Sequence, residues 1–391
     1  MPDSVTEATS QSWFSRIVDS IRSVLVGGAF FALSFPVLFW NEGRAVRTAK
    51  SLEEGAGAVA SVSASPVDPS NEGKLVHMAG EAATAEAVSD PDFGVVASAV
   101  KLVRTAEMYQ WKEDKRSETR KKLGGGTETV TAYSYEKTWA PEPIDSSDFK
   151  EPEGHTNPEA MPVSSQTVVA KEVTVGAFTL SEAQVAMIGN TQDLRLEAGA
   201  ISSLPGAMAG KARVHDGKFY MGGDPSAPTL GDVRVSFKVV KPGPVSLVAR
   251  QVGRTFEPYQ AAAGGSILLL EEGTRSAESM FKAARTANVT LTWILRGLGF
   301  FLMFLGLVMV FRPLAVVGDV VPLVGSLLGV GIGIFAFLVS VFLASVTIAA
   351  SWFAVLPLLG IALLLPSAAA AAGLVALARR RARTGALPST P

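Results

Sequence analysis

Four long apolar runs constrain this chain more than any other feature. They cover residues 24–40, 291–311, 323–345 and 352–374. Roughly 20 residues of α-helix, at about 1.5 Å rise per residue, cross the hydrocarbon core of a bilayer, which is about 30 Å thick. The runs therefore predict an integral membrane protein with four transmembrane helices, one N-terminal and three C-terminal, between an N-terminal tail (1–23) and a basic C-terminal tail (375–391).

A cleaved signal peptide is the alternative interpretation of the first run, because Arg16 and Arg22 precede it. The run ends in Phe39-Trp40-Asn41, without the small residues that signal peptidase requires. This ending favours a retained span.

Positive charge near the ends of the spans sets the expected orientation. Four crossings place both termini on one side, which carries seven flanking arginines, against five cationic residues on the other side. The seven are Arg16, Arg22, Arg312, Arg379, Arg380, Arg381 and Arg383. Abundant Ala, Gly and Arg indicate a GC-rich bacterial genome, so we expect a bacterial inner-membrane protein with a periplasmic large domain. In a eukaryote the inner nuclear membrane or endoplasmic reticulum would be expected.

The 250 residues from 41 to 290 predict a β-rich extramembrane domain, which makes the chain an α+β membrane protein. Apolar residues recur at helical spacing in 44–60 and 274–290, predicting amphipathic helices that flank the domain. Between them, alternating and β-branched runs predict strands. Tyr109 and Trp111 alternate on one strand and Tyr133 and Tyr135 on another, which predicts a hairpin with residues 112–126 as its connecting loop.

Three glycines at four-residue intervals, Gly325, Gly329 and Gly333, lie in the third apolar run. Such spacing lets a neighbouring helix approach closely in lipid, where packing replaces the hydrophobic drive. We expect this stripe to mediate helix packing and oligomerisation; the alternative is the ordinary frequency of glycine in membrane helices.

The sequence offers little catalytic chemistry. There is no cysteine and the net charge is −1, which exclude thiolate sites and argue against nucleic-acid partners. His155 lies in a loop with Glu151, Glu153 and Glu159, a grouping that would suit a divalent metal or an acid–base pair. Its spacing matches no metalloenzyme motif, and a structural loop is the favoured interpretation. We therefore expect no cofactor, no metal and no enzymatic activity.

The string Trp40-Asn41-Glu42-Gly43-Arg44 directly follows the first span, and Gly154-His155-Thr156-Asn157-Pro158 forms a later loop. Both strings resemble the transmembrane protein 43 (LUMA) family. Further matches follow in order at 231–237, 249–251, 268–270 and 276–278, and the layout of one early span, a long domain and three late spans agrees. The resemblance implies a non-catalytic membrane protein that oligomerises and organises membrane protein complexes.

The leading hypothesis is a self-associating membrane scaffold whose partners are other copies of itself, the lipid bilayer and other membrane proteins. Two alternatives stay open: a channel or pore-forming membrane effector, and a membrane-tethered hydrolase centred on His155. Few ionisable residues lie inside the spans, which lowers the expectation of ion-coupled transport.

Overall fold

The computed structural model describes residues 4–206, 208 and 210–355. It divides into two compact units. The β-rich unit comprises Met1–Thr9, Ser51–Thr119 and Thr129–Ala284, and the helical unit comprises Ser10–Lys50, Arg120–Glu128 and Arg285–Pro391, with residues up to 355 described.

The described residues form four α-helices: α1 (Trp13–Ala58), α2 (Glu182–Met187), α3 (Ala277–Gly318) and α4 (Pro322–Val355). Helices α1, α3 and α4 are long and apolar enough to cross a membrane. The expected span 24–40 lies in α1, as does the expected amphipathic helix 44–60 up to Ala58, where α1 ends. The segments 274–290 and 291–311 both lie in α3, which begins at Ala277. The expected boundaries lie where the apolar pattern becomes amphipathic, a change that alters what surrounds a helix without breaking its backbone hydrogen bonds.

The structure shows three of the four expected membrane helices. The expected span 323–345 lies in α4, which continues through Trp352–Val355. The remainder of the fourth expected span, 356–374, and the basic tail 375–391 lie outside the described residues. The fold class is thus supported as three candidate membrane helices with a large β-rich domain.

Among the described residues, nineteen strands account for the β-rich character. They are β1 (Ser4–Gln11), β2 (Ala60–Ser61), β3 (Leu75–Ala83), β4 (Val88–Asp90), β5 (Val95–Ala97), β6 (Lys101–Lys121), β7 (Thr127–Ala140), β8 (Gln166–Val169), β9 (Val173–Val175), β10 (Phe178–Leu180), β11 (Gln192–Leu194), β12 (Ala212–His215), β13 (Lys218–Met221), β14 (Val233–Val240), β15 (Gly243–Val252), β16 (Thr255–Glu257), β17 (Tyr259–Gln260), β18 (Ser266–Ile267) and β19 (Leu269–Glu272). Short 3-10 helices occur at Pro69–Asn71, Ser146–Asp148 and Ala198–Ser203.

Two larger sheets carry most of these strands. The first has the order β1-β7-β6-β14-β13-β12, with β11 on β14 and β8 on β6. The second has the order β10-β9-β3-β15-β16, with β19 on β15 and β2 on β3. The Thr179 amide donates to the Arg254 carbonyl at 2.8 Å, which brings β10 back towards β16. The second sheet therefore curls towards a closed barrel, an arrangement that leaves fewer unpaired edge groups.

The main core lies between the two sheets. Met78 and Leu247 from the second sheet and Phe219 and Phe237 from the first belong to one buried cluster. Phe93, on the short loop between β4 and β5, stacks on Phe219 with ring centroids 5.4 Å apart. The alternating residues Val233, Val235 and Phe237 of β14 face this core, as do Val245 and Leu247 of β15, as a packed pair of sheets requires.

The aromatic hairpin is confirmed, but its loop is much shorter than expected. Strands β6 and β7 are neighbours, and the chain reverses at 122–126, where Gly124 and Gly125 have positive φ. The expected loop 112–126 was wrong for 112–121, because β6 continues to Lys121. Charged residues at both alternating positions hid this strand, since most side chains beyond Trp111 are exposed and the apolar alternation stops there.

The ends of two membrane helices pack within the β-rich unit. Leu52 of α1 and Met280 and Phe281 of α3 form a buried cluster with Leu75, Val248 and Ile267. A Cβ on Gly55 would lie 2.4 Å from Ile267 Cδ1, so this glycine permits the close approach. The amphipathic faces predicted for these segments are therefore buried against strands.

The first residues of the chain also belong to the β-rich unit. Strand β1 pairs with β7, and Glu7 forms an ion pair with Lys150 at 2.9 Å. The expected N-terminal tail 1–23 therefore includes a strand of this unit, and α1 already begins at Trp13 within it. The segment is short and polar, so it carried no apolar alternation from which a strand could be predicted.

Candidate functional site

The helical unit contains a buried ion pair between α1 and α3. Glu42, 1% exposed, accepts hydrogen bonds from Arg296 Nε and Nη2, both at 2.7 Å. Trp352 Nε1 of α4 donates to the same carboxylate at 2.6 Å. One side chain of the Trp40–Arg44 string thus joins the three long helices.

The geometry of this pair is the kind that makes a buried charge tolerable. Desolvating a carboxylate and a guanidinium costs several kcal/mol per ion unless each meets a well-placed partner. The two parallel N–H···O bonds from the guanidinium and the indole N–H saturate one face of the carboxylate. Removing Arg296 would leave the buried Glu42 carboxylate with only the Trp352 indole as donor.

A second set of hydrogen bonds surrounds Arg44. Its Nη1 donates to Asn288 Oδ1 at 2.9 Å, and its Nη2 donates to Thr292 Oγ1 at 3.0 Å and Asn41 Oδ1 at 3.1 Å. Asn41 Nδ2 donates to the Thr292 carbonyl at 3.1 Å, and Asn288 Nδ2 to the Ala45 carbonyl at 3.0 Å. We call Asn41, Glu42, Arg44, Asn288, Thr292, Arg296 and Trp352 together the polar junction.

The other two residues of the string have different environments. Trp40 is 56% exposed, which suits an aromatic side chain at a membrane interface. A Cβ on Gly43 would have no heavy atom within 4 Å. The string therefore supplies three interhelical side chains, one exposed aromatic and one glycine without a close neighbour.

A further ion pair lies at the other end of the helices. Asp319, 2% exposed at its side chain, pairs with Arg16 of α1 at 2.5 Å. Arg16 and Glu42 are 26 residues apart, about 39 Å along an α-helix. This separation slightly exceeds the roughly 30 Å hydrocarbon thickness of a bilayer. The two buried ion pairs therefore lie at opposite ends of the apolar part of the helices.

Small residues permit close packing of α1 on α3 between these ends. A Cβ on Gly27 would lie 2.7 Å from the Gly306 carbonyl oxygen, and one on Gly306 would lie 2.6 Å from the Phe31 amide nitrogen. A Cβ on Gly299 would lie 2.6 Å from Leu38. This contact was not predicted, although a glycine in each of two apolar runs was the available signal.

The three glycines predicted to mediate packing lie in two environments. A Cβ on Gly325 would overlap Asp319, so this glycine allows the α3–α4 turn within the chain. Gly329 and Gly333 have no heavy atom within 4 Å of such a Cβ. Gly329 is exposed and Gly333 is half-buried, so an added Cβ on either would meet no described side chain.

The loop around His155 has a structural arrangement. The Asn157 side chain accepts from the Trp111 amide at 2.7 Å and donates to the Trp111 carbonyl at 2.9 Å, which fixes the loop to β6 as a paired strand would. The His155 ring stacks on Tyr135 with centroids 3.8 Å apart, and its Nδ1 lies 2.9 Å from the Glu151 carbonyl oxygen. Gly154 has φ +85°, a conformation that favours glycine.

The electrostatics of this loop also follow from packing. Burial, followed by the hydrogen bond that Tyr135 donates to Glu113, raises the pKa of Tyr135. A phenol held in its neutral form serves as a donor to Glu113 and an acceptor from the Glu151 amide. No group of three or more His, Asp or Glu residues suited to a metal ion occurs among the described residues, and Glu151, Glu153 and Glu159 form no such cluster with His155.

Comparison with known proteins identifies similar chains. The model of the family described as "Transmembrane protein 43" matches residues 108–357. Transmembrane protein 43 of Mus musculus is 38% identical over 365 residues, and that of Homo sapiens is 37% identical, each covering 90% of both chains. The Transmembrane protein 43 homolog of Drosophila melanogaster is 30% identical over 90% of this chain and 95% of its own. No solved structure matches.

Proposed function

This chain belongs to the transmembrane protein 43 family, and from that premise we propose that it is a self-associating integral membrane scaffold without catalytic activity. The three long helices are held together internally by the polar junction and the Gly27–Gly306 contact. The surface through which we propose that copies associate is the outer face of α4.

The observation that carries the proposal is the contrast between used and unused glycines. Gly27 and Gly306 are each in contact with the opposite helix, whereas Gly329 and Gly333 face no described atom within 4 Å. Large apolar side chains next to them on α4 are exposed, among them Leu327 at 66%. In lipid, a bare glycine stripe between large side chains gives a second helix backbone a place to approach.

The proposal is tested by replacing both glycines in the full chain. Gly329→Leu with Gly333→Leu should reduce the particle size measured by analytical ultracentrifugation in detergent, because two isobutyl groups would separate the facing helices. The matched control is Gly28→Leu with Gly297→Leu, since a Cβ on either glycine also meets nothing within 4 Å. An unchanged particle size in the first variant, or an equal reduction in the control, contradicts helix-driven assembly through this stripe.

The alternatives receive less support from the described residues. A pore through one copy would need space between helices, but the α1–α3 contact at Gly27 and Gly306 leaves no room for an added methyl group. A hydrolase centred on His155 would need polar reacting groups around the imidazole ring. The ring instead stacks on Tyr135 and contacts Trp111 edge-on. The self-associating scaffold is therefore the function that we propose.

A further inference from the structure

Three cationic side chains of the helical unit have no role in the proposed scaffold. Arg47 and Lys50 lie on α1, Arg285 lies on α3, and all three are exposed. None of them forms a hydrogen bond or an ion pair through its side chain with any residue that the structure describes. We call these three residues the cationic cluster.

Neighbouring residues of the helices do not neutralise this charge. The segments 41–50 and 285–296 contain five cationic residues and one carboxylate, that of Glu42. Glu42 is buried and already pairs with Arg296 at 2.7 Å. The cationic cluster therefore presents positive charge at the surface of the helical unit.

Hydrogen bonds between the helices place Arg47 and Arg285 at the same height. Helices α1 and α3 run antiparallel, and Arg44 Nη1 donates to Asn288 Oδ1 at 2.9 Å. Arg47 follows Arg44 by three residues, and Arg285 precedes Asn288 by three residues, so both lie about 4.5 Å beyond this contact on the same side of it. Lys50 lies about one turn further along α1.

Two exposed tryptophans mark a second height on the same helices. Asn41 Nδ2 donates to the Thr292 carbonyl at 3.1 Å, and Trp40 and Trp293 are the next residues towards the apolar runs. Trp40 is 56% exposed and Trp293 is 64% exposed. Tryptophans at the ends of membrane helices lie at the headgroup level, so this pair marks the edge of the hydrocarbon.

The cationic cluster lies within reach of lipid phosphates. Arg47 is seven residues from Trp40 and Arg285 is eight residues from Trp293, which is about 10–12 Å along a helix. The headgroup layer is about 5–8 Å thick on each side of the hydrocarbon. Long Lys and Arg side chains extend their charged ends along a helix to reach such a layer.

We infer that the cationic cluster binds the headgroups of anionic phospholipids in the leaflet that contains Trp40 and Trp293. One Lys or Arg near the surface increases the affinity for an anionic lipid about fivefold. A guanidinium also matches a phosphate with two parallel N–H donors, so Arg47 and Arg285 are suited to direct contacts. This selection of lipid is separate from self-association, because it uses α1 and α3 and not the glycines of α4.

Fluorescence quenching in reconstituted bilayers tests the inference on the full chain. The bilayers contain brominated phosphatidylcholine, whose acyl chains quench nearby tryptophans, and increasing amounts of unbrominated phosphatidylglycerol. Recovery of fluorescence measures how strongly phosphatidylglycerol replaces phosphatidylcholine around the protein. We expect a preference of about tenfold for phosphatidylglycerol at low ionic strength. Raising the salt from about 0.01 M to about 1 M should reduce it, because the Debye length falls from about 30 Å to about 3 Å. Equal affinity for the two lipids overturns the inference.

Variants assign the preference to the cationic cluster. Replacing all three of its residues by Gln should bring the two affinities close to equality. The matched control removes the same charge from three exposed lysines of the β-rich unit and should leave the preference unchanged: Lys171→Gln, Lys211→Gln and Lys241→Gln. An unchanged preference in the first variant, or an equal loss in the control, overturns the assignment.

Two further variants separate charge from folding and from assembly. Arg47→Lys with Arg285→Lys keeps the charge and should keep most of the preference; a loss equal to that of the triple variant contradicts an electrostatic site. If the triple variant does not insert into bilayers, Arg47→Gln decides, and an unchanged preference again overturns the assignment. Gly329→Leu with Gly333→Leu should leave the lipid preference intact, so the lipid site and the glycine stripe can fail separately.

Discussion

Replacing Glu42 by Gln should destabilise the three-helix assembly by about 3 kcal/mol. The substitution keeps the shape of the side chain but removes the charge that Arg296 and Trp352 contact. Breaking a buried ion pair costs roughly 3–5 kcal/mol, since the remaining charge is left uncompensated. The Arg296 side chain is 18% exposed and the amide oxygen still accepts one hydrogen bond, so the lower end of this range applies.

The assay is equilibrium unfolding of purified protein in mixed micelles, with increasing SDS and helicity followed by circular dichroism. At roughly 1.4 kcal/mol per tenfold change, a loss of 3 kcal/mol lowers the folding equilibrium constant about 100-fold. Glu53→Gln is the control, because Glu53 is an exposed glutamate on the same helix and should change stability by less than about 0.5 kcal/mol.

A double-mutant cycle isolates the pair. Arg296→Met combined with Glu42→Gln should cost clearly less than the sum of the two single losses, because the second substitution removes the charge that the first left unpaired. Additive losses, or a Glu42→Gln variant as stable as the Glu53→Gln control, would refute the reasoning.

Three further predictions follow from the described contacts. Gly27→Leu should abolish the folded helical unit, measured as lost protease resistance in detergent, because no space exists for its side chain; resistance equal to wild type contradicts this packing. Asp232→Asn should make the stability of the β-rich domain depend less on pH in the acid range. Burial raises the pKa of Asp232, but the hydrogen bonds from Thr229 and Tyr220 outweigh this effect and leave the pKa below its ordinary value of 3.8. Wild type therefore loses the stability contributed by the ionised Asp232 as the pH falls below 3.8. An unchanged acid transition in the variant contradicts this account. Asn157→Ala should cost about 1–3 kcal/mol in thermal unfolding, because it leaves backbone groups of β6 unpaired, and no loss would show that water replaces the amide.

Much of the architecture was predictable because apolar length and alternation are strong physical signals. The long runs predicted three membrane helices that the structure shows, and the aromatic alternation around Tyr109 and Tyr135 predicted the β6–β7 hairpin. The continuation of β6 to Lys121 was not predictable in the same way, since a strand exposed on both faces has no apolar period.

The polar junction was only half predictable. Family resemblance singled out Asn41, Glu42 and Arg44, but nothing in the sequence paired them with Asn288, Arg296 or Trp352, which are about 250 to 310 residues away. Long-range pairing depends on how the helices pack, and helix packing is set by contacts such as Gly27–Gly306 that single-sequence periodicity does not identify. The role of Asn157 as a bridge to Trp111 likewise required the position of β6.

The most direct test of the central claim is the number of copies in one membrane particle. Mass photometry of the chain extracted into lipid nanodiscs from native membranes should show assemblies of two or more copies, and Gly329→Leu with Gly333→Leu should shift them towards single copies. A uniform population of single copies for the unaltered chain, at every dilution measured, would contradict the account.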